Sequence, residues 1–190
     1  CNLGLILKDL GNLKEAEQSI RKAIELKPDL AASHTNLGNI LKNLGNLKEA
    51  EASLRKAIKL NPNFAEAHSN LGIIFSYLGK SQEAEVSLRK AIEIKPDFAK
   101  GHNNLAHFLL RRMELIEGWE HYEWRWEANR KILSIGKKLA MSKPEWSANN
   151  RGRVLLWPEQ GIGDQILFAS LIPELAKKVD QLIVLVDHRL

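Results

Sequence analysis

Asn2, Asn36, Asn70 and Asn104 recur at a constant step of 34 residues. A side-chain amide offers two donors and an acceptor, so a row of evenly spaced amides can hold the backbone of an extended peptide without demanding a particular sequence. The same amides can equally solvate a groove and cap neighbouring turns. A second candidate for chemistry is the stretch Gly161-Ile162-Gly163-Asp164-Gln165. Glycines let a ligand approach the backbone, and an aspartate at a helix start can act as a general base or accept the first amide hydrogens. A Walker phosphate loop is excluded, because no Gly-Lys-Ser/Thr follows. A dinucleotide fingerprint matches at Gly161 and Gly163, with Asp187 at the end of the next apolar run, but Ile166 stands at its third glycine. A sugar-transferase loop with Asp164 at the helix start is the third option. Cys1 is the single cysteine, so no intramolecular disulfide forms.

The elements that position the asparagines repeat with them. Gly11, Gly45 and Gly79 keep the 34-residue step, as do Glu15-Ala16-Glu17, Glu49-Ala50-Glu51 and Glu83-Ala84-Glu85. Arg21-Lys22-Ala23-Ile24, Arg55-Lys56-Ala57-Ile58 and Arg89-Lys90-Ala91-Ile92 keep it too, and so do Pro28, Pro62 and Pro96. Within one period, Leu37, Ile40, Leu41 and Leu44 make the apolar face of a first helix, and Gly45 ends it. Ala50, Leu54, Ala57, Ile58 and Leu60 face a second helix, stopped by Asn61-Pro62. A period of 34 with these columns resembles the tetratricopeptide repeat. The resemblance implies a right-handed helix-turn-helix solenoid whose first helices line a concave groove. A protein or peptide in that groove is the expected partner. His34, His68 and His102 also lie in register. Neighbouring repeats stand ~10 Å apart whereas metal bonds are ~2 Å long, so these histidines are read as structural and no metal is expected. Ala65-Glu66-Ala67-His68-Ser69-Asn70-Leu71-Gly72 is also similar to the repeats of the eukaryotic O-linked N-acetylglucosamine transferase, which implies an asparagine ladder in contact with polypeptide.

The fourth repeat begins with Ala99, His102, Asn104 and Leu105 and then departs, with Met113 in the glycine column and Gly118 in an alanine column. All five tryptophans lie between Trp119 and Trp157. Trp119, Tyr122 and Trp126 fall at helical spacing and are expected to cover the end of the solenoid, since such rings usually bury. An aromatic and arginine stripe that stacks on nucleobases or sugars is the weaker alternative. The net charge of +5 is spread along the chain rather than clustered, so nucleic acid is not an expected partner. No window is apolar enough for a membrane span. A cytoplasmic setting is the expectation.

From Arg153 the period changes. Val154-Leu155-Leu156-Trp157 and Leu182-Ile183-Val184-Leu185-Val186 read as buried strands, with a helix from Ile166 to Ala176 between them. The stretch Glu159 to Ala169, followed by Pro173-Glu174-Leu175, resembles the start of the heptosyltransferase-like glycosyltransferases (family 9, GT-B architecture). Bacterial proteins that join tetratricopeptide repeats to such a domain are similar across Gly118-Trp119 and Tyr122-Glu123-Trp124-Arg125 as well. The resemblance implies that Gly161, Gly163, Asp164 and Gln165 border an acceptor site, with Asp164 as general base. It implies a nucleotide-sugar donor for the full-length parent and no cofactor in this chain, which is too short to hold a donor-binding half. The expected fold class is therefore mainly α, a solenoid followed by a small βαβ, Rossmann-like fragment. The expected domains are residues 1–112 (repeats), 113–150 (a Trp-rich cap and linker) and 151–190 (the first βαβ unit). Both ends read as cut from a longer protein. A two-stranded parallel sheet is not stable alone, so 151–190 is expected to pack on the cap or to pair with another copy. The functional expectation is a polypeptide-binding module of a glycosyltransferase-like parent, the alternatives being a pure interaction scaffold and a dinucleotide binder.

Overall fold

The computed structural model describes residues 2–128, 152–156 and 172–184. The chain divides into two compact units, Cys1–Ala128 and Asn129–Leu190.

The first unit is a run of antiparallel helix pairs. The first pair is α1 (Asn2–Asp9) with α2 (Leu13–Leu26), and the second is α3 (Ala31–Asn43) with α4 (Leu47–Leu60). The third is α5 (Ala65–Tyr77) with α6 (Ser81–Ile94), followed by α7 (Ala99–Arg111), α8 (Leu115–Tyr122) and a short α9 (Arg125–Ala128). Within a pair, the turn follows from one backbone device. Gly45 takes φ 83°, its amide hydrogen-bonds Lys42 O at 3.0 Å, and the Asn46 amide reaches back to Leu41 O at 2.9 Å. These two bonds satisfy carbonyls that the end of α3 would leave open. The same pair of bonds closes α1, α5 and α7.

Close approach of the paired helices explains the glycine inside each first helix. A Cβ on Gly72 would stand 2.6 Å from Leu88 Cγ and 3.0 Å from Ala84 O, so only a hydrogen fits between α5 and α6. Leu37, Ile40, Leu54, Leu71, Ile74 and Leu88 belong to one continuous core running between the pairs. Each such side chain contributes about 1.5–3 kcal/mol through burial.

Between pairs, the histidine column does the tying. His34 Nε2 lies 2.8 Å from Pro28 O, His68 Nε2 2.9 Å from Pro62 O, and His102 Nε2 2.8 Å from Pro96 O. Each ring therefore pins the start of a first helix to the turn before it.

In the second unit, β1 (Arg153–Leu156) pairs in parallel with β2 (Gln181–Val184), Arg153 opposite Gln181 and Leu156 opposite Val184. A short helix α10 (Ile172–Ala176) lies between them in sequence. These are two short strands and one helical turn and a half. The glycine loop, the start of the expected helix and the ends of both expected strands lie outside the described residues. Residues 129–151, where a linker is expected, lie outside them as well. No helix among the described residues is long and apolar enough to cross a membrane.

Candidate functional site: the inner face of the helix pairs

The first helices touch one another directly, α3 against α5 and α5 against α7, whereas α2, α4 and α6 make no comparable contact among themselves. The second helices are instead bridged by ion pairs between long side chains. Arg21 of α2 grips Glu49 of α4 as well as its own Glu17, and Arg89 of α6 grips both Glu85 and Glu117 of α8. A stack whose first helices converge while its second helices need arginine-length bridges is curved, with the first helices inside. The inner face is therefore built from α1, α3, α5 and α7.

The bridges also shift protonation. Glu117 is held below the ordinary carboxyl value of 4.5, first by the hydrogen bond from Arg89 and against its burial. Burial pushes Glu51 up, but the hydrogen bonds from Lys80 and Arg55 outweigh it and hold it below 4.5.

The asparagine column lies on the first helices, but its members differ. Asn2 is exposed and Asn36 half-buried. Asn70 is only 7% exposed. Asn104 is half-buried, and its Nδ2 donates to Ser69 Oγ at 2.9 Å. Asn2 and Asn36 therefore keep their amides more open to a ligand, while Asn104 spends a donor on the preceding repeat. Next to it, Asn103 Oδ1 is buried with no hydrogen-bond partner among the described residues.

Residue-by-residue reading of the sequence missed the cations of this face. Lys42, on α3, is half-buried. Burial first, then the neighbouring charges of Lys100 and Lys8, hold its ammonium below the ordinary lysine value of 10.5. Lys8 belongs to α1 and Lys100 to α7. The available signal was the 34-residue step from Lys8 to Lys42. Asn39 and Asn43 flank Lys42 on the same helix, Asn39 half-buried and Asn43 exposed.

At the far end of the stack the expected cap is only partly as read. Trp119 is 49% exposed, and meets the Tyr122 ring edge-on with 5.3 Å between centroids. Trp124 is the ring that packs: it stacks on His102 at 4.3 Å with 7° between planes. The helix breaks here: α8 ends at Tyr122 and α9 restarts at Arg125, so Trp124 falls between them and off the spacing that joins Trp119 to Tyr122. Of the Trp126 side chain nothing is described. His102 Nδ1 lies 2.8 Å from His121 Nδ1, and His121 Nε2 lies 3.6 Å from Glu117. Burial first, and then the charge His102 would carry, hold His121 below the ordinary imidazole value of 6.5.

Gly161, Gly163, Asp164 and Gln165 lie outside the described residues, so no geometry attaches to the acceptor-site expectation. Among the described residues, no group of three His, Cys, Asp or Glu side chains could hold a metal ion.

Models of the tetratricopeptide repeat match residues 1–30, 20–52 and 65–98, and a TPR repeat model matches 38–79. The chain is a tetratricopeptide-repeat protein. The matched tetratricopeptide stretch is continuous over residues 1–98, in agreement with the helix pairs. A relative, protein FlbA of Caulobacter vibrioides, is 34% identical over 74 residues, covering 38% of this chain and 12% of that protein. The match thus spans about an eighth of that relative's length. Among solved structures, a thermophilic TPR protein of Thermus thermophilus is similar with TM-score 0.61 and 23% identity, over 69% of this chain and 73% of that one. The first TPR of Spaghetti (RPAP3), bound to the HSP90 peptide SRMEEVD, is similar with TM-score 0.55 and 22% identity, over 59% of this chain and 89% of that one. At those identities the likeness is one of fold.

Proposed function

We propose that the chain is a protein-interaction scaffold whose inner face takes an extended polypeptide. The observation that carries this reading is the direct packing of α3, α5 and α7, the helices that carry Asn36, Asn39, Asn43, Asn70 and Asn104. Amides of this kind suit a peptide backbone, which presents a donor and an acceptor at each residue. A similar fold holding a peptide supports the reading. The test is to select a binding peptide from a random display library, map its site on the chain, and compare wild type with Asn36→Ala. Loss of one net hydrogen bond corresponds to about fivefold weaker binding.

A second reading concerns residues 151–190. The run Glu159 to Ala169, flanked by strands that pair in parallel, supports the start of a glycosyltransferase-like domain in which Asp164 deprotonates an acceptor hydroxyl. Its test is sugar transfer by the whole protein: Asp164→Asn should abolish transfer and leave nucleotide-sugar binding intact. Transfer unaffected by that change removes the reading and leaves a pure scaffold.

A further inference from the structure

His102 is gripped by a single turn of chain. Its ring stacks on Trp124, and its Nδ1 lies 2.8 Å from Nδ1 of His121. The Trp124 amide donates to His121 O at 3.2 Å, so both contacts come from the one turn that joins α8 to α9. α9 begins at the next residue, and the Ala128 amide closes it on Trp124 O at 2.9 Å. The other ring nitrogen of His102, Nε2, stands 2.8 Å from Pro96 O. Where the earlier repeats carry Ser19, Ser53 and Ser87, the fourth carries His121, so this pairing of imidazoles belongs to the end of the stack.

These distances fix where the protons sit. A carbonyl oxygen only accepts, so His102 Nε2 carries a hydrogen and donates it to Pro96 O. A neutral imidazole has one N–H, which leaves His102 Nδ1 as acceptor and His121 Nδ1 as the donor to it. His121 Nε2 then presents a lone pair to Glu117 Oε1, 3.6 Å away. One added proton removes that mismatch. With a hydrogen on His102 Nε2, one between the two Nδ1 atoms and one on His121 Nε2 facing Glu117, every contact is complementary. A second added proton has no such place. It sets two N–H groups against each other across 2.8 Å and brings two positive rings within 4.9 Å.

The charged groups that act on His121 are His102 from α7, Glu117 on its own helix and Arg89 from α6. Glu117 is shared with Arg89 by two hydrogen bonds, so it does not balance a second positive ring. From the α9 side, Arg125 pairs with Glu123 and lies over the Tyr122 ring. Burial, and then the charge on His102, hold His121 below the ordinary imidazole value, in keeping with the cost of that second proton.

We propose that the turn from His121 to Trp124 is an acid-opened clasp: His102 and His121 hold one extra proton with their contact intact, and a second proton parts them and carries Trp124 and α9 away from α7. The opening is local, and the helix pairs before α7 stay stacked.

The test is nuclear magnetic resonance of the whole chain from about pH 8 to about pH 5, the range in which imidazoles titrate. His102 Nε2 should stay protonated throughout, and the ring signals of both histidines should move together in two steps, as coupled sites do. The Trp124 indole signal, assigned by its absence in Trp124→Phe, should leave its stacked position in the second step. Protection of the Ala128 amide from exchange should fall about tenfold in that step, the change that one pK unit of coupling produces. His121→Gln keeps a donor for His102 Nδ1 and takes up no proton, so it should hold Trp124 stacked and Ala128 protected to the acid end. His107→Gln, on α7 but outside the pair, should open as wild type does. A bare His102 Nε2, rings that titrate independently, or a wild-type Trp124 that stays stacked at the acid end overturns the clasp. So does equal opening in a His121→Gln chain whose melting at the alkaline end matches wild type.

Discussion

Met113 occupies the column of Gly11, Gly45 and Gly79, and its φ of 64° keeps their left-handed turn. For a residue with a Cβ that conformation costs about 1–2 kcal/mol. The Met113 side chain is 75% exposed, so removing it loses little packing. Met113→Gly should therefore stabilise the first unit by about 0.5–1 kcal/mol, since glycine's freedom in the unfolded chain offsets part of the relief. A higher urea midpoint at unchanged slope checks this. A lower midpoint would contradict it. At this scale the sequence spoke unevenly. The proline and histidine columns were visible as periodic residues, yet the hydrogen bond joining them appears only when the turn folds back on the next helix. Asn70 and Asn104 look equivalent to Asn2 in the sequence, but burial depends on which repeat stacks above.

The packing of α7 on α8 carries the pH dependence of the stack. His121 faces His102, Glu117 and, through Glu117, Arg89. His121 titrates below 6.5 in the folded chain, so the unfolded chain takes up its proton more readily. Stability from this contact is then complete above 6.5 and is lost as pH falls through the lowered value. Wild type should show a falling urea midpoint between about pH 7 and about pH 5, and His121→Gln should flatten that segment. Loss of stability below 4.5, from Glu117 and Glu51, should persist in the variant, because those carboxyls are held down by Arg89 and by Lys80 with Arg55. A fall of equal size in His121→Gln would place the sensitivity elsewhere. Elements were the best-read level within the repeats, because Leu37, Ile40, Leu41 and the closing Gly45 combine periodicity with a stop signal. They were worst read at α8 and α9, where the helix breaks between Tyr122 and Arg125 without glycine or proline.

For the whole molecule, the 34-residue period was enough to anticipate stacked helix pairs, since a pair with one uncovered face must bury it on a neighbour. It could not show that the first helices pack on one another while the second helices are bridged by Arg21 and Arg89, which is what curves the stack. Nor could the motif around Asp164 be carried further than a resemblance. If the inner face binds polypeptide, amide chemical-shift mapping of the chain titrated with a library-selected peptide should show perturbations concentrated in Ala31–Asn43, Ala65–Tyr77 and Ala99–Arg111, with affinity about fivefold weaker in Asn36→Ala. Perturbations concentrated in Leu47–Leu60 and Ser81–Ile94, on the outer helices, with binding untouched by Asn36→Ala, would contradict it.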